Sequence, residues 1–183
     1  MLIIGIDPGL SGGIAILENN KVKKMFDMPV MSDGKKNKRQ LNSALLAQLI
    51  KDNIKDFEDT AMVVEQVNAM PGQGVTSMFN FGQTFGAIKG ICAALGLPIF
   101  FVRPAKWKKH FELINSSKDA SRTKAIEMYP YIAEKLSKKK DVNKSDAILI
   151  ARYYSETRFK EDTKWFWANI NTLSGQIHDT FYK

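Results

Sequence analysis

The chain has 183 residues, 44% of them hydrophobic and 10% aromatic, which is enough to build the core of one compact domain. Its 27 Lys and Arg residues exceed its 19 Asp and Glu residues, and the formal net charge of +8 favours a polyanionic partner such as nucleic acid. No segment approaches the roughly 20 consecutive apolar residues of a membrane span, so no membrane partner is expected. The single Cys92 excludes an intramolecular disulfide and is compatible with a reducing compartment.

Short apolar stretches predict five β-strands. The first, MLIIGID, is followed by Pro8 and Gly9, which interrupt a strand. The second and third flank Asn19 and Asn20, a pair that suits a tight hairpin turn. The predicted strands cover residues 1–7, 14–18, 21–27, 61–65 and 97–102.

Apolar residues at helical spacing predict the helices, and the segments between them are predicted as loops. Residues 29–40 contain Pro, Gly and four basic residues and are predicted to form an exposed loop that could contact phosphate. The predicted helices cover residues 41–54, 77–95, 119–128, 131–137 and 144–156. Strands and helices in this order predict an α/β fold, a mixed sheet with helices on its faces.

Three acidic residues occupy unusual positions in this pattern. Asp7 and Glu65 each end a buried strand, and Asp146 is placed in the first turn of a helix that then turns apolar. Ligands of open α/β sheets bind at the carboxyl ends of the strands, so these acids can converge there. Carboxylates held close together repel one another unless a cation lies between them, and oxygen ligands select Mg²⁺ or Mn²⁺. Two such ions about 3.5–4 Å apart can hydrolyse a phosphodiester.

Each acid also has a purely structural interpretation. Asp7 before Pro8 and Gly9 could form a turn, Glu65 could be a surface residue, and Asp146 could complement the dipole of its helix. Positive charge is concentrated elsewhere, since residues 103–144 contain twelve Lys or Arg and five Asp or Glu. Such a cluster is typical of a nucleic-acid footprint, although many of these side chains could be solvated helix faces.

Three motifs in chain order resemble those of the RuvC-type Holliday junction resolvases. They are IIGIDPGLSGGIAIL at the first strand, VVEQV around Glu65, and NKSDAILIA from Asn143 to Ala151. The resemblance covers about residues 1–155 and implies an RNase H-like nuclease domain over residues 1–156. Residues 157–183 lie outside it and are predicted to be an aromatic extension packed on the domain.

The resemblance implies a crossover junction endonuclease that uses Mg²⁺ or Mn²⁺, two ions per site, to cut four-way or other branched DNA. Asp7, Glu65 and Asp146 would bind metal, and Lys108 and Lys118 would neutralise charge at the scissile phosphate. Asn143 would be an auxiliary ligand, where the family often has Asp or His, and Asp141 could replace it. The DNA-binding residues are predicted to be Gln66, Phe79, Phe81, Arg103, Lys106, Lys109 and Arg122.

The symmetry of a four-way junction suits a homodimer with two sites. Positions 78, 81, 85 and 88 could form the helix face that packs on the second subunit, while Phe79 or Phe81 could instead stack on an unpaired base. The expected location is the cytoplasm of a bacterium or virus-infected cell, and an organelle stays open. Two alternatives also stay open. One is a protein that binds branched DNA without cutting it, and the other is an actin-like ATPase, because GIDPG resembles the first phosphate loop of that fold.

Overall fold

The computed structural model of the protein describes residues 1–34, 38–66, 68, 72 and 74–157. The strands are β1 (Leu2–Ile6), β2 (Gly13–Glu18), β3 (Lys21–Asp27), β4 (Val30–Ser32), β5 (Arg39–Leu41), β6 (Thr60–Glu65) and β7 (Ile99–Val102). The α-helices are α1 (Ser43–Asn53), α2 (Val75–Ala94), α3 (Pro104–His110), α4 (Ala120–Met128) and α5 (Val142–Thr157). The predicted aromatic extension lies almost entirely outside the described residues.

The five longer strands form one mixed sheet in the order β3-β2-β1-β6-β7. Strands β1 and β2 are antiparallel, as are β2 and β3, whereas β1, β6 and β7 are parallel. Asn19 and Asn20 have φ values of 49° and 62°, which is the left-handed pair of a type I′ hairpin turn. The predicted mixed five-stranded sheet with its hairpin is therefore confirmed.

The alternation of side chains along the strands divides the core into two layers. On one face Ile3, Ala61 and Val63 pack with α5 and with Trp107 of α3. On the other face the neighbouring strand residues pack with helices α1 and α2, through Leu46 and Ile88. Both faces of the central strands are buried, which explains why these strands read as continuous apolar runs.

Three of the predicted elements differ from the structure in type or in their first residue. Residues 29–40 do not form a plain loop, because β4 and β5 pair as an antiparallel ribbon. The predicted helix at 131–137 is a 3-10 helix, Pro130–Leu136. Helix α5 begins at Val142, directly after the 3-10 turn Lys139–Asp141, so Asp146 lies in its second turn rather than its first.

Two glycines allow α5 to cross the sheet at very short range. A Cβ added at Gly5 would come within 2.2 Å of the Ala147 carbonyl oxygen, and one added at Gly13 within 2.7 Å of the Asn143 carbonyl oxygen. Only Gly fits where two backbones approach so closely. The first half of α5, which carries Asp146, is thereby held against β1 and β2.

Among the helices of the described ranges, none is both long enough and apolar enough to cross a bilayer.

Candidate metal centre

Asp7 and Glu65 lie side by side at the carboxyl ends of adjacent parallel strands. The register pairs Gly5 with Val63 and Ile6 with Val64, so the next step along the strands brings Asp7 beside Glu65. Neighbouring strands are about 4.8 Å apart, and alternation directs both side chains to the face that α5 covers. The two acids that end strands in the sequence thus converge on one edge of the sheet.

Asp146 reaches the same region from above the sheet. It lies one residue before Ala147, whose carbonyl oxygen faces Gly5 of β1. The three carboxylates interact electrostatically, since both Glu65 and Asp146 disfavour ionisation of Asp7. The structure therefore places Asp7, Glu65 and Asp146 within electrostatic range of one another.

The pKa values of all three acids are raised, mainly because the acids are buried. Burial, followed by the charges of Glu65 and Asp146, raises the pKa of Asp7 to about 7. Burial also raises the pKa of Asp146 to about 6, with Glu65 adding to the effect and a hydrogen bond from Ser121 opposing it. Burial raises the pKa of Glu65, against a hydrogen bond from Trp107 and the charge of Lys108. A bound cation would stabilise the ionised form of such acids.

Two side chains donate hydrogen bonds to the carboxylates of Glu65 and Asp146, and neither donor was predicted from the sequence. The indole Nε1 of Trp107 donates to Glu65 Oε1 at 2.9 Å, with the Trp107 side chain fully buried. Ser121, buried at the start of α4, donates to Asp146. A tryptophan within the basic stretch 103–109 was the available signal, since a single large apolar residue among lysines marks the buried face of a helix.

Lys108 lies within electrostatic range of the three acids. Its charge lowers the pKa of all three acids, and its Nζ lies 5.3 Å from the centre of the Trp107 ring. A cavity of about 360 Å³ opens beside it, and its lining includes Lys118, Asn143 and Asp146. The structure thus brings Lys108 and Lys118 together with part of the acidic cluster.

Asn143 and Asp141 have different surroundings. The Asn143 side-chain nitrogen donates to the Ser11 carbonyl oxygen, which leaves its own carbonyl oxygen as the atom that could bind a metal. Asp141 is buried and forms an ion pair with Lys144 at 2.8 Å, and it accepts a hydrogen bond from the Lys138 backbone at 2.9 Å. Asp141 is therefore engaged in structural contacts away from the lining of this cavity.

The predicted DNA-binding residues are distributed around the centre. Gln66 follows Glu65 and its backbone nitrogen bonds to Val102 of β7 at 2.8 Å. Arg103, Lys106 and Lys109 are exposed on α3, the helix that carries Trp107 and Lys108. Arg122 differs, because its guanidinium forms two hydrogen bonds with Asp119, at 2.7 and 2.6 Å, and a third with the Leu136 carbonyl.

The aromatic residues of α2 separate into two environments. Phe79 is 65% exposed. Phe81 is partly buried, with its ring against the loop after Asp7, 3.9 Å from the position of a Cβ at Gly9. Phe85 and Ile88 pack into the core beneath the sheet. The hypothesis that positions 78, 81, 85 and 88 form a subunit interface is therefore wrong for the last two.

The donor set suits a hard divalent cation, because every candidate ligand atom is a carboxylate or amide oxygen. Within the ranges that the structure describes, however, no three Asp, Glu, His or Cys side chains are close enough to enclose one ion. The charges of Glu65 and Asp146 nevertheless act on Asp7, so the three acids share one electrostatic site.

The raised pKa values predict how the metal-free protein responds to pH. A carboxyl whose pKa is higher in the folded state lowers stability as pH rises from its unfolded pKa, near 4, to its folded pKa, near 7 for Asp7. In EDTA, Asp7→Asn should therefore unfold at a higher temperature than wild type at pH 8, by roughly 2–8 °C for about 1–2 kcal/mol.

The difference in melting temperature between the two proteins should shrink toward pH 5, and calorimetry over pH 5–8 measures it. Comparing wild type with the variant cancels the contributions of titrating groups that do not interact with Asp7. A melting difference that stays constant over this range would contradict the raised pKa of Asp7.

Comparisons with known proteins agree with this fold. RuvC of T. thermophilus, solved in complex with a Holliday junction substrate, is 16% identical with a TM-score of 0.59, covering 94% of this chain and 97% of that chain. The Holliday junction resolvase of fowlpox virus is 18% identical with a TM-score of 0.52, covering 86% and 99%. At these identities the likeness shows the fold alone, and it confirms the predicted RNase H-like architecture.

No curated protein matches the sequence. The family described as crossover junction endodeoxyribonuclease RuvC has a sequence model that matches residues 3–153, a range that includes Asp7, Glu65 and Asp146. This range also contains all of the central sheet except Leu2, and most of α5. The chain therefore belongs to the crossover junction endodeoxyribonuclease RuvC family.

Proposed function

We propose that the chain resolves four-way DNA junctions by hydrolysing phosphodiesters at the centre of Asp7, Glu65 and Asp146. Its family makes it a crossover junction endodeoxyribonuclease, and nucleases of this family depend on divalent metal. The observation that carries the proposal is the convergence of three carboxylates whose pKa values are all raised, two of them to about 7 and about 6. Burial is the main cause of the raised values, and the charges of Glu65 and Asp146 add to it at Asp7. Buried acids that lie this close together are expected where a cation binds.

Asp7 would be the central ligand, because it lies beside Glu65 and interacts with Asp146. Asn143 would add a neutral oxygen next to Asp146. We propose Mg²⁺ or Mn²⁺, two ions per site, which would supply an activated water and stabilise the leaving oxygen. The products would carry a 5′-phosphate and a 3′-hydroxyl.

The lysines would act on the phosphate rather than on the metal. Lys108 is stacked near the Trp107 ring and surrounded by acids, so its ammonium is held at the edge of the centre. Lys118 is exposed and lines the same cavity. A phosphodiester in this cavity would lie near both lysines, and each would neutralise charge that develops in the transition state.

Cleavage of a synthetic four-way junction tests this function. With Mg²⁺ or Mn²⁺ we expect paired cuts in opposite strands and none in EDTA. Junction binding without cleavage in either metal would favour a non-catalytic branched-DNA-binding protein. Thermal stabilisation by ATP, with no action on DNA, would instead favour the actin-like ATPase.

The exposed face of α2 supports a homodimer. Val75 and Phe79 are 86% and 65% exposed on this helix. Gly82, Gly86 and Gly90 follow at intervals of four residues, and a Cβ added at any of them would meet nothing within 4 Å. Small residues aligned in this way allow a second helix to approach closely, and two copies would place two centres on one symmetric junction.

Replacing Gly86 with a larger residue distinguishes a dimer face from a free surface. On a free surface Gly86→Gln should stabilise the helix by about 0.5–1 kcal/mol. If α2 packs on a second copy, the new side chain should instead dissociate the dimer, so that light scattering reports 20.6 kDa instead of about twice that mass.

Ala44→Gln on the exposed side of α1 is the matched control and should leave the mass unchanged. A monomeric wild-type protein would reject the dimer outright.

A further inference from the structure

A second cavity lies outside the metal centre. It has a volume of about 530 Å³ and lies between the β4–β5 ribbon and the first half of α2. Leu10, three residues after Asp7, forms part of its wall. The cavity is thus adjacent to the loop that leads away from the metal centre, and its size is in the range of small-ligand sites, about 300–1,000 Å³.

The lining carries polar side chains that have no partner among the residues that the structure describes. Lys38 and Arg39 from the ribbon form no ion pair within the ranges that the structure describes. Among the described residues, the side-chain amides of Gln40, Asn80 and Gln83 form no hydrogen bond either. Asp33 is the one acid among the lining residues, so the basic charge predominates.

Helix α2 contributes residues both to this cavity and to the surroundings of the loop after Asp7. Phe81 directs its ring toward Gly9, in the loop after Asp7, whereas Asn80 and Gln83 line the cavity. Thr84, also in the lining, is buried and bonds back to the Asn80 carbonyl at 3.0 Å, which holds this turn of the helix. The amides are therefore presented from a rigid element rather than from a loop.

We propose that this cavity binds a nucleotide of the junction strand next to the cleaved phosphate and contributes to the choice of cleavage sequence. This inference rests on the proposed nuclease function. Lys38 and Arg39 would bind backbone phosphates, and the Asn80 and Gln83 amides would contact the base edge. Side-chain amides pair with base edges because they offer a donor and an acceptor side by side, whereas lysine offers only a point charge.

The phosphate contacts are tested by binding. In EDTA, where no cutting occurs, the double variant Lys38→Gln, Arg39→Gln should bind a four-way junction roughly tenfold more weakly at about 0.1 M salt. The slope of log K against log salt should become shallower by about two, one for each lost phosphate contact. Lys51→Gln, an exposed lysine on α1, is the matched control and should leave both values unchanged.

The base contacts are tested by cleavage. Wild type and Asn80→Ala, Gln83→Ala are compared on a series of junctions that differ only in the sequence at the branch. The variant should alter the ratio of cleavage rates between sequences by roughly fivefold to a hundredfold, with the salt slope of binding unchanged. Melting temperatures of both variants identify any loss of fold.

The outcomes separate this site from the function on which it rests. If wild type cuts none of the junctions, the proposed nuclease function fails. If wild type cuts and the Lys38/Arg39 variant keeps the wild-type salt slope, the cavity is not a nucleotide site. An active Asn80/Gln83 variant with wild-type sequence ratios would likewise overturn the proposal.

Discussion

Asp7→Asn is expected to lower the rate of junction cleavage by roughly a thousandfold or more while junction affinity stays within about twofold. Asp7 lies beside Glu65, and the charges of both Glu65 and Asp146 act on its carboxylate. An amide keeps the shape and one oxygen but removes the negative charge that a divalent cation needs. Single-turnover cleavage and a gel-shift titration in EDTA measure the two quantities.

Asp52→Asn provides a control for the loss of one negative charge. Asp52 is exposed on α1 and bonds only to Gln48 of the same helix in the described structure. It should cleave like wild type. An Asp7→Asn protein that retains more than about a tenth of the wild-type rate would remove Asp7 from the metal site.

Gly5→Ala is expected to destabilise the protein by about 1–3 kcal/mol and to lower cleavage further than the stability loss explains. The added Cβ would approach the Ala147 carbonyl oxygen to 2.2 Å and Ala151 Cβ to 2.8 Å. The nearer atom belongs to the backbone, so no side-chain rotation can relieve the contact and α5 must move. Because Asp146 precedes Ala147, this movement displaces Asp146 from Asp7.

Chemical denaturation and cleavage at a temperature where the variant is fully folded separate the two effects. Gly74→Ala is a suitable control, since an added Cβ there would meet Ser77 Oγ at an ordinary 3.9 Å. A Gly5→Ala protein with wild-type stability and activity would contradict the close crossing of α5 over β1.

Patterns that act over a whole element were readable in the sequence. The apolar runs that end in Asp7 and Glu65 predicted two buried strands. They also predicted an acidic sheet edge, because a carboxylate is unusual at the end of a buried strand. The Asn19-Asn20 turn predicted the hairpin, since both residues tolerate positive φ. These features depend on residues that are neighbours in the sequence, and the structure contains them.

Contacts between distant segments were not readable in this way. Strands β4 and β5 have three residues each, too few for a period of two to be recognised, so their ribbon was predicted as a loop. The hydrogen bond from Trp107 to Glu65 joins residues 42 positions apart. Arg122 looked available for phosphate in a basic stretch, yet only the fold shows its pairing with Asp119 and Leu136.

We propose that Asp7, Glu65 and Asp146 bind the ion that makes this chain a nuclease. Crystals grown with Mn²⁺ and measured at the manganese absorption edge test it most directly. We expect an anomalous peak within ligation distance of Asp7 and of Glu65 or Asp146, and its loss in Asp7→Asn. A protein that cuts junctions in Mn²⁺ while its anomalous density lies away from Asp7 would contradict the account.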